Sequence, residues 1–163
     1  MEKIVDIFGH NKEFCEEYRK DNSWFGRILL GEDGCFEGVV EDYHQTDYYL
    51  VFGYATRESL IVTKCSKKDK DVPYKYEGFR ENRKFEGSFA AKNPYVEIPL
   101  GECSISLLPA EATREESDSE TQELKIRIAK LKHNLGEIGN YLHEDFEVSR
   151  IKTQSLVKKY QSK

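Results

Sequence analysis

The sequence predicts an α+β chain: a small antiparallel β-barrel or strongly bent β-meander of about eight strands, with an N-terminal helix and a C-terminal helical segment. Three observations predict it. First, periodicity changes near residue 110. Short apolar and aromatic runs broken by Gly, Asp, Asn and Pro give way to Leu124, Ile128, Leu131, Leu135, Ile138 and Leu142, spaced by fours and threes. Second, turn chemistry falls between the short runs, clearest at Asp33-Gly34, where glycine supplies the positive φ of a tight hairpin. Third, an aromatic-Glu-Gly triplet recurs at Phe36-Glu37-Gly38, Tyr76-Glu77-Gly78 and Phe85-Glu86-Gly87. Glycine weakens a strand interior unless the chain must bend or be approached closely, as in a tightly coiled barrel.

Residues 1–22 read as a helical cap. Phe8, Cys15 and Tyr18 offer apolar surface, Glu13, Glu16 and Glu17 occupy other faces, and Asn11 suits an N-cap. The β unit follows over 23–109. Its strands are expected at 23–30, 35–41, 47–55, 59–65, 74–80, 84–90, 95–100 and 102–108, with Gly101 as a bend or bulge between the last two. A meander of this length is best stabilised by closure, which removes exposed edges. In each triplet the aromatic and the glycine share one face, inward, while Glu37, Glu77 and Glu86 face solvent. The strand density is similar to that of calycin-like barrels, a likeness of pattern that carries no function.

Residues 110–117 read as a linker, and 118–163 as a helical, coiled-coil-like or hairpin segment. Ser119 and Gln122 form a capping-box signature among acids that favour the positive helix end. In heptad terms Ile128, Leu135 and Leu142 fall at a, and Leu124, Leu131 and Ile138 at d. Arg127 at g and Lys132 at e would repel in a parallel self-pair. An antiparallel mate, a more acidic partner, or the chain's own body remain as occupants of the seam. Gly136, Gly139 and Asn140, with a phase slip at Phe146, point to two helical pieces hinged there.

The chain has 163 residues, a net charge of -5, and charged residues at 34%, so a generic phosphate-binding surface is not expected. Nucleic acid is therefore an improbable partner; the run Lys64, Lys67, Lys68 and Lys70 reads as a solvated hairpin tip. Charges in Met1 to Asp6 stand where a secretory leader needs apolar residues, and no apolar run is long enough to span a bilayer. Cys15, Cys35, Cys65 and Cys103 show no metal-ligand spacing, and without a leader they are expected as free thiols in a cytoplasmic protein away from membranes. No phosphate loop, dinucleotide fingerprint or nucleophile elbow is present, so no cofactor or metal is expected.

Candidate functional residues are of three kinds. The aromatics Trp24, Phe25, Tyr43, Tyr48, Tyr49, Phe52, Tyr54, Tyr74, Tyr76, Phe79, Phe85, Phe89 and Tyr95 exceed what one face of a small sheet buries, and of these Trp24, Tyr48, Phe52, Tyr54 and Tyr76 would suit a ligand-binding surface. The seam Leu124, Ile128, Leu131, Leu135, Ile138 and Leu142 would bind a protein partner or a second copy. His44, between Asp42 and Asp47, is the one histidine placed for acid–base work, although spacing supplies it no nucleophile. The expected function is that of a non-enzymatic interaction protein, its helical tail mediating association. The alternatives are a calycin-like barrel holding a small apolar ligand, and an enzyme using His44.

Overall fold

In the computed structural model, the described residues are 2–14, 22–42, 48–65, 73–92, 97–110 and 114–136, with Glu144, Glu147, Arg150 and Ile151. Eight strands follow one another in sequence: β1 (Lys3–Glu13), β2 (Asn22–Leu30), β3 (Cys35–Asp42), β4 (Tyr48–Ala55), β5 (Ser59–Cys65), β6 (Tyr74–Glu81), β7 (Lys84–Lys92) and β8 (Glu97–Pro109). Each pairs antiparallel with the next, and β1 pairs with β8, from Val5 opposite Pro109 to Glu13 opposite Gly101. The meander is thus a closed barrel, and no sheet edge remains among the described residues to template aggregation.

The N-terminal helix expected over residues 1–22 is not formed in its described part, which corrects the sequence reading; residues 15–21 lie outside the described residues. Residues 3–13 are β1, because Val5 and Ile7 alternate inward while β-branched Ile4 also packs on the outside. Asn11 is no helix cap; it points into the barrel from the end of β1. The two strands expected at 95–100 and 102–108 are one long β8. Its register against β7 slips at Phe89/Ala90, where Phe89 faces Gly101 and Ala90 faces Pro99, leaving Leu100 as the extra residue of a bulge. The count of eight therefore matches through two compensating differences.

Fifteen buried side chains occupy the bore, among them Ile7, Trp24, Ile28, Phe36, Tyr76 and Phe85. The triplets behave as their alternation predicts: Phe36, Tyr76 and Phe85 are buried inside, and Glu37, Glu77 and Glu86 lie on the outer face. Inward glycines give the large rings their space. A Cβ on Gly53 would stand 2.2 Å from the Phe36 ring, and one on Gly9 only 2.0 Å from the indole of Trp24. The β6–β7 turn places Asn82 at φ 59°, a conformation asparagine tolerates well.

One helix follows, α1 (Arg114–Leu135), which begins inside the segment read as a linker and runs past Ser119, so Ser119 is not its cap. Gly136 at φ +58° ends it, with its N–H bonded to the Lys132 carbonyl at 3.2 Å. α1 lies on the outside of the barrel over β2, β3 and β4. Leu124, Ile128 and Leu135 are buried there against Ile4, Leu29, Val39, Leu50, Phe52 and Tyr54, and Leu131 is half-buried beside them. Ion pairs flank the seam: Lys125 of α1 binds Glu2 at 3.2 Å, Lys132 of α1 binds Glu37, and Arg27 of β2 binds Glu120 of α1 at 2.7 Å. Ile138 and Leu142, Gly139 and Asn140, and the second helical piece expected beyond them, lie outside the described residues apart from helical Glu144, Glu147, Arg150 and Ile151. No helix among the described residues is long and apolar enough to cross a membrane.

Candidate functional site

The five aromatics singled out in the sequence do not form one site. Strand alternation sends Trp24 and Tyr76 inward and Tyr48, Phe52 and Tyr54 outward. Trp24 and Tyr76 meet inside, ring centroids 5.2 Å apart and tilted by 56°. Phe52 and Tyr54 are buried on the outer wall in the cluster that receives α1. Tyr48 is half-exposed at the wall beside α1.

The inner pair belongs to a polar cluster at the end of the barrel where β1, β3 and β5 finish. Lys64 lies here, and this corrects its reading as part of a solvated tip. Its side chain is 4% exposed and donates to Asp42 Oδ1 at 2.9 Å; Lys67, Lys68 and Lys70 lie outside the described residues. Nζ also stands over four rings: Tyr49 at 4.6 Å, Trp24 at 5.4 Å, Tyr74 at 5.6 Å and Tyr76 at 5.9 Å. The ammonium is thus paired with the Asp42 carboxylate and stands over ring quadrupoles, which is how a buried cation is made tolerable. Trp24 Nε1 donates to Asn11 Oδ1 at 3.1 Å, and Asn11 Nδ2 donates to the Tyr76 hydroxyl oxygen at 3.1 Å. Burial raises the Tyr76 phenol well above its usual value, so the hydroxyl stays neutral. Alternation alone could have located this cluster. Lys64 is in step with inward Leu60 and Val62, and Asp42 with Phe36 and Val40.

The bore itself is occupied by side chains, as an eight-stranded barrel permits. Cavities lined by described residues lie on the surface instead. One, of about 210 Å³, sits between α1 and the wall, lined by Phe25, Tyr48, Glu41, Glu120, Glu123 and Arg127, with Gly26, Arg27 and Leu124 also lining it. The Arg127 guanidinium lies 4.7 Å from the Tyr48 ring centroid. Around this groove Phe8 (47% exposed) pairs across strands with Phe25 (37%), and Phe25 faces Glu41, which faces Tyr48 (50%). The sequence reading put Phe8 on a helix face and did not single out Phe25 as a site residue, so it missed their pairing on the outer wall.

His44 lies outside the described residues. Among the described residues no group of three or more His, Cys, Asp and Glu side chains converges as a metal site would require. Burial pushes the thiols of Cys65 and Cys103 up to about 12, which suits packing rather than nucleophilic work. Compared with known proteins, the chain matches no family model, no curated protein and no solved structure.

Proposed function

We propose that this chain is a non-enzymatic protein-interaction module, a solid barrel that presents its binding surface on the outside. The observation that carries the reading is the contrast between bore and wall. Inside, fifteen buried side chains occupy the space a carried ligand would need. Outside, Phe8, Phe25 and Tyr48 stand half-exposed across neighbouring strands, beside the groove of α1. Aromatics with one accessible face are the residues that anchor protein interfaces. The seam of α1 takes a different part from the one expected of it. Leu124, Ile128 and Leu135 hold the helix to its own barrel, so association falls to the outer aromatics and the polar face of α1.

The full chain carrying Phe8→Ser, Phe25→Ser and Tyr48→Ser tests this. All three side chains already touch water, so the variant keeps its Trp24 emission and cooperative unfolding. Affinity enrichment and sedimentation are then run with both forms. The reading stands if the unaltered chain retains proteins or self-associates and the variant does neither. It fails if the two forms behave alike.

A further inference from the structure

We infer that the groove between α1 and β2–β4 receives a long cationic side chain, arginine above all, from a basic segment of a protein partner. The inference rests on the interaction reading above and names the chemistry of the partner. The groove volume of about 210 Å³ is the size of one large side chain and too small for most small-molecule ligands, which occupy roughly 300–1,000 Å³.

Its walls suit a cation. Phe25 and Tyr48 stand on either side of Glu41 in adjacent strands, Phe25 opposite Glu41 and Glu41 opposite Tyr48. Carboxylates dominate the rim. Glu41, Glu120 and Glu123 line it, and Asp6 stands behind Arg27, making four carboxylates against the two guanidiniums of Arg27 and Arg127. Arg27 is already held by Asp6 at 3.1 Å and Glu120 at 2.7 Å. Arg127 is stacked on Tyr48. Glu41 and Glu123 have no ion-pair partner among the described residues, and no cation lies over Phe25 among them. The chain has thus filled one half of an aromatic–acidic receptor with its own Arg127 and left the other half, Phe25 with Glu41 and Glu123, vacant. A planar guanidinium can stack on Phe25 while its edge bonds both carboxylates, which a compact ammonium does less well. The same acidic rim repels a phosphate backbone, so the complementary macromolecule is a basic protein segment rather than RNA or DNA.

The test uses the full chain, with backbone amide shifts as readout and three blocked tripeptides as probes: Gly-Arg-Gly, its uncharged isostere with citrulline, and Gly-Glu-Gly. The arginine probe is expected to shift Gly26, Tyr48 and Glu123 saturably, the effect weakening as salt rises. Citrulline should bind about tenfold more weakly, and Glu41→Gln with Glu123→Gln should weaken arginine by a similar factor. Equal response to arginine and citrulline, no saturation, or saturable shifts confined to other residues would overturn the inference, as would tighter binding of an oligonucleotide at these residues. If the arginine probe fails while the triple aromatic variant still loses its partners, the cation site falls and the interaction reading survives.

Discussion

Substituting Lys64 by methionine isolates what the buried ion pair contributes at the end of the barrel where β1, β3 and β5 finish. Methionine keeps most of the apolar stem among Trp24, Tyr49, Tyr74 and Tyr76 and removes only the charge. Asp42 is then left with 14% of its side chain exposed and its 2.9 Å counter-ion gone. Breaking a buried pair by deleting one partner costs roughly 3–5 kcal/mol, against about 0–1 for a surface pair. Asp42 retains some contact with water, so the lower end applies, about 3 kcal/mol. That is a large share of the roughly 5–15 kcal/mol by which domains are stable. Adding Asp42→Asn removes the stranded charge, and the double variant should recover to within about 1 kcal/mol of the parent. Urea unfolding followed by Trp24 emission and by far-ultraviolet dichroism measures both, coincident curves showing that the transition is two-state. Trp24 is the only tryptophan and lies 5.4 Å from Nζ, so its emission also reports on the cluster. A loss below about 1 kcal/mol for Lys64→Met, or no recovery in the double variant, would refute the argument that the ion pair is buried and mutually dependent.

Glycine substitutions separate close approach from ordinary contact. Gly9→Ala forces a Cβ to 2.0 Å from the Trp24 indole and should cost about 1–3 kcal/mol or more, while Gly78→Ala, whose nearest neighbour is Phe85 Cβ at 3.2 Å, should cost less; equal losses in urea unfolding would contradict the packing described. Alkali should destabilise the fold. The folded thiols of Cys65 and Cys103 titrate near 12 instead of 9.0, so their contribution is complete below pH 9 and is lost between there and 12, about 1 kcal/mol per pH unit for each. Cys65→Ala with Cys103→Ala should flatten that slope in unfolding curves taken from pH 8 to 11, and an unchanged slope would exclude the thiols as its source. Native alkylation near pH 8, read by mass spectrometry, should reach half-buried Cys35 slowly, its thiol pushed up to about 11, and should spare Cys65 and Cys103 until the chain unfolds.

The hairpins were legible because their causes are local. Asp33-Gly34, Thr56 to Glu58 and Asn82-Arg83 carry turn chemistry between strands of clear alternation, and each is a turn in the structure. β1 was not, because its reason to be extended is remote. Its two partners are β2 and, about ninety residues away in sequence, β8, which closes the barrel beside it. Its pattern is also blurred, since Ile4 packs outward beside α1 while Phe8 is outward and exposed, leaving no clean apolar face to count. The caged lysine was hidden by a sound rule used alone. Lysine runs usually lie in water, yet the face parity of β5 already put Lys64 on the side of Leu60 and Val62. The seam of α1 was visible as apolar spacing, but spacing says only that something must cover it, not that the cover is the outer wall of β2–β4.

That wall decides what α1 contributes. In most small barrels the outward face of a strand is polar, but here Leu29, Val39, Leu50, Phe52 and Tyr54 face outward and are buried. Such a row cannot stay in water, and three side chains of α1, each worth roughly 1.5–3 kcal/mol when fully buried, cover part of it. The helix therefore belongs to the folded body and is not a free arm. The consequence for binding is direct. Glu120, Glu123 and Arg127 form one side of the outer groove only because Leu124 and Ile128, on the adjoining stripe of the same turns, are seated on the barrel. Core packing and the proposed recognition are thus neighbouring stripes of one helix. A change that unseats the first removes the second, even where every residue that would touch the partner is intact.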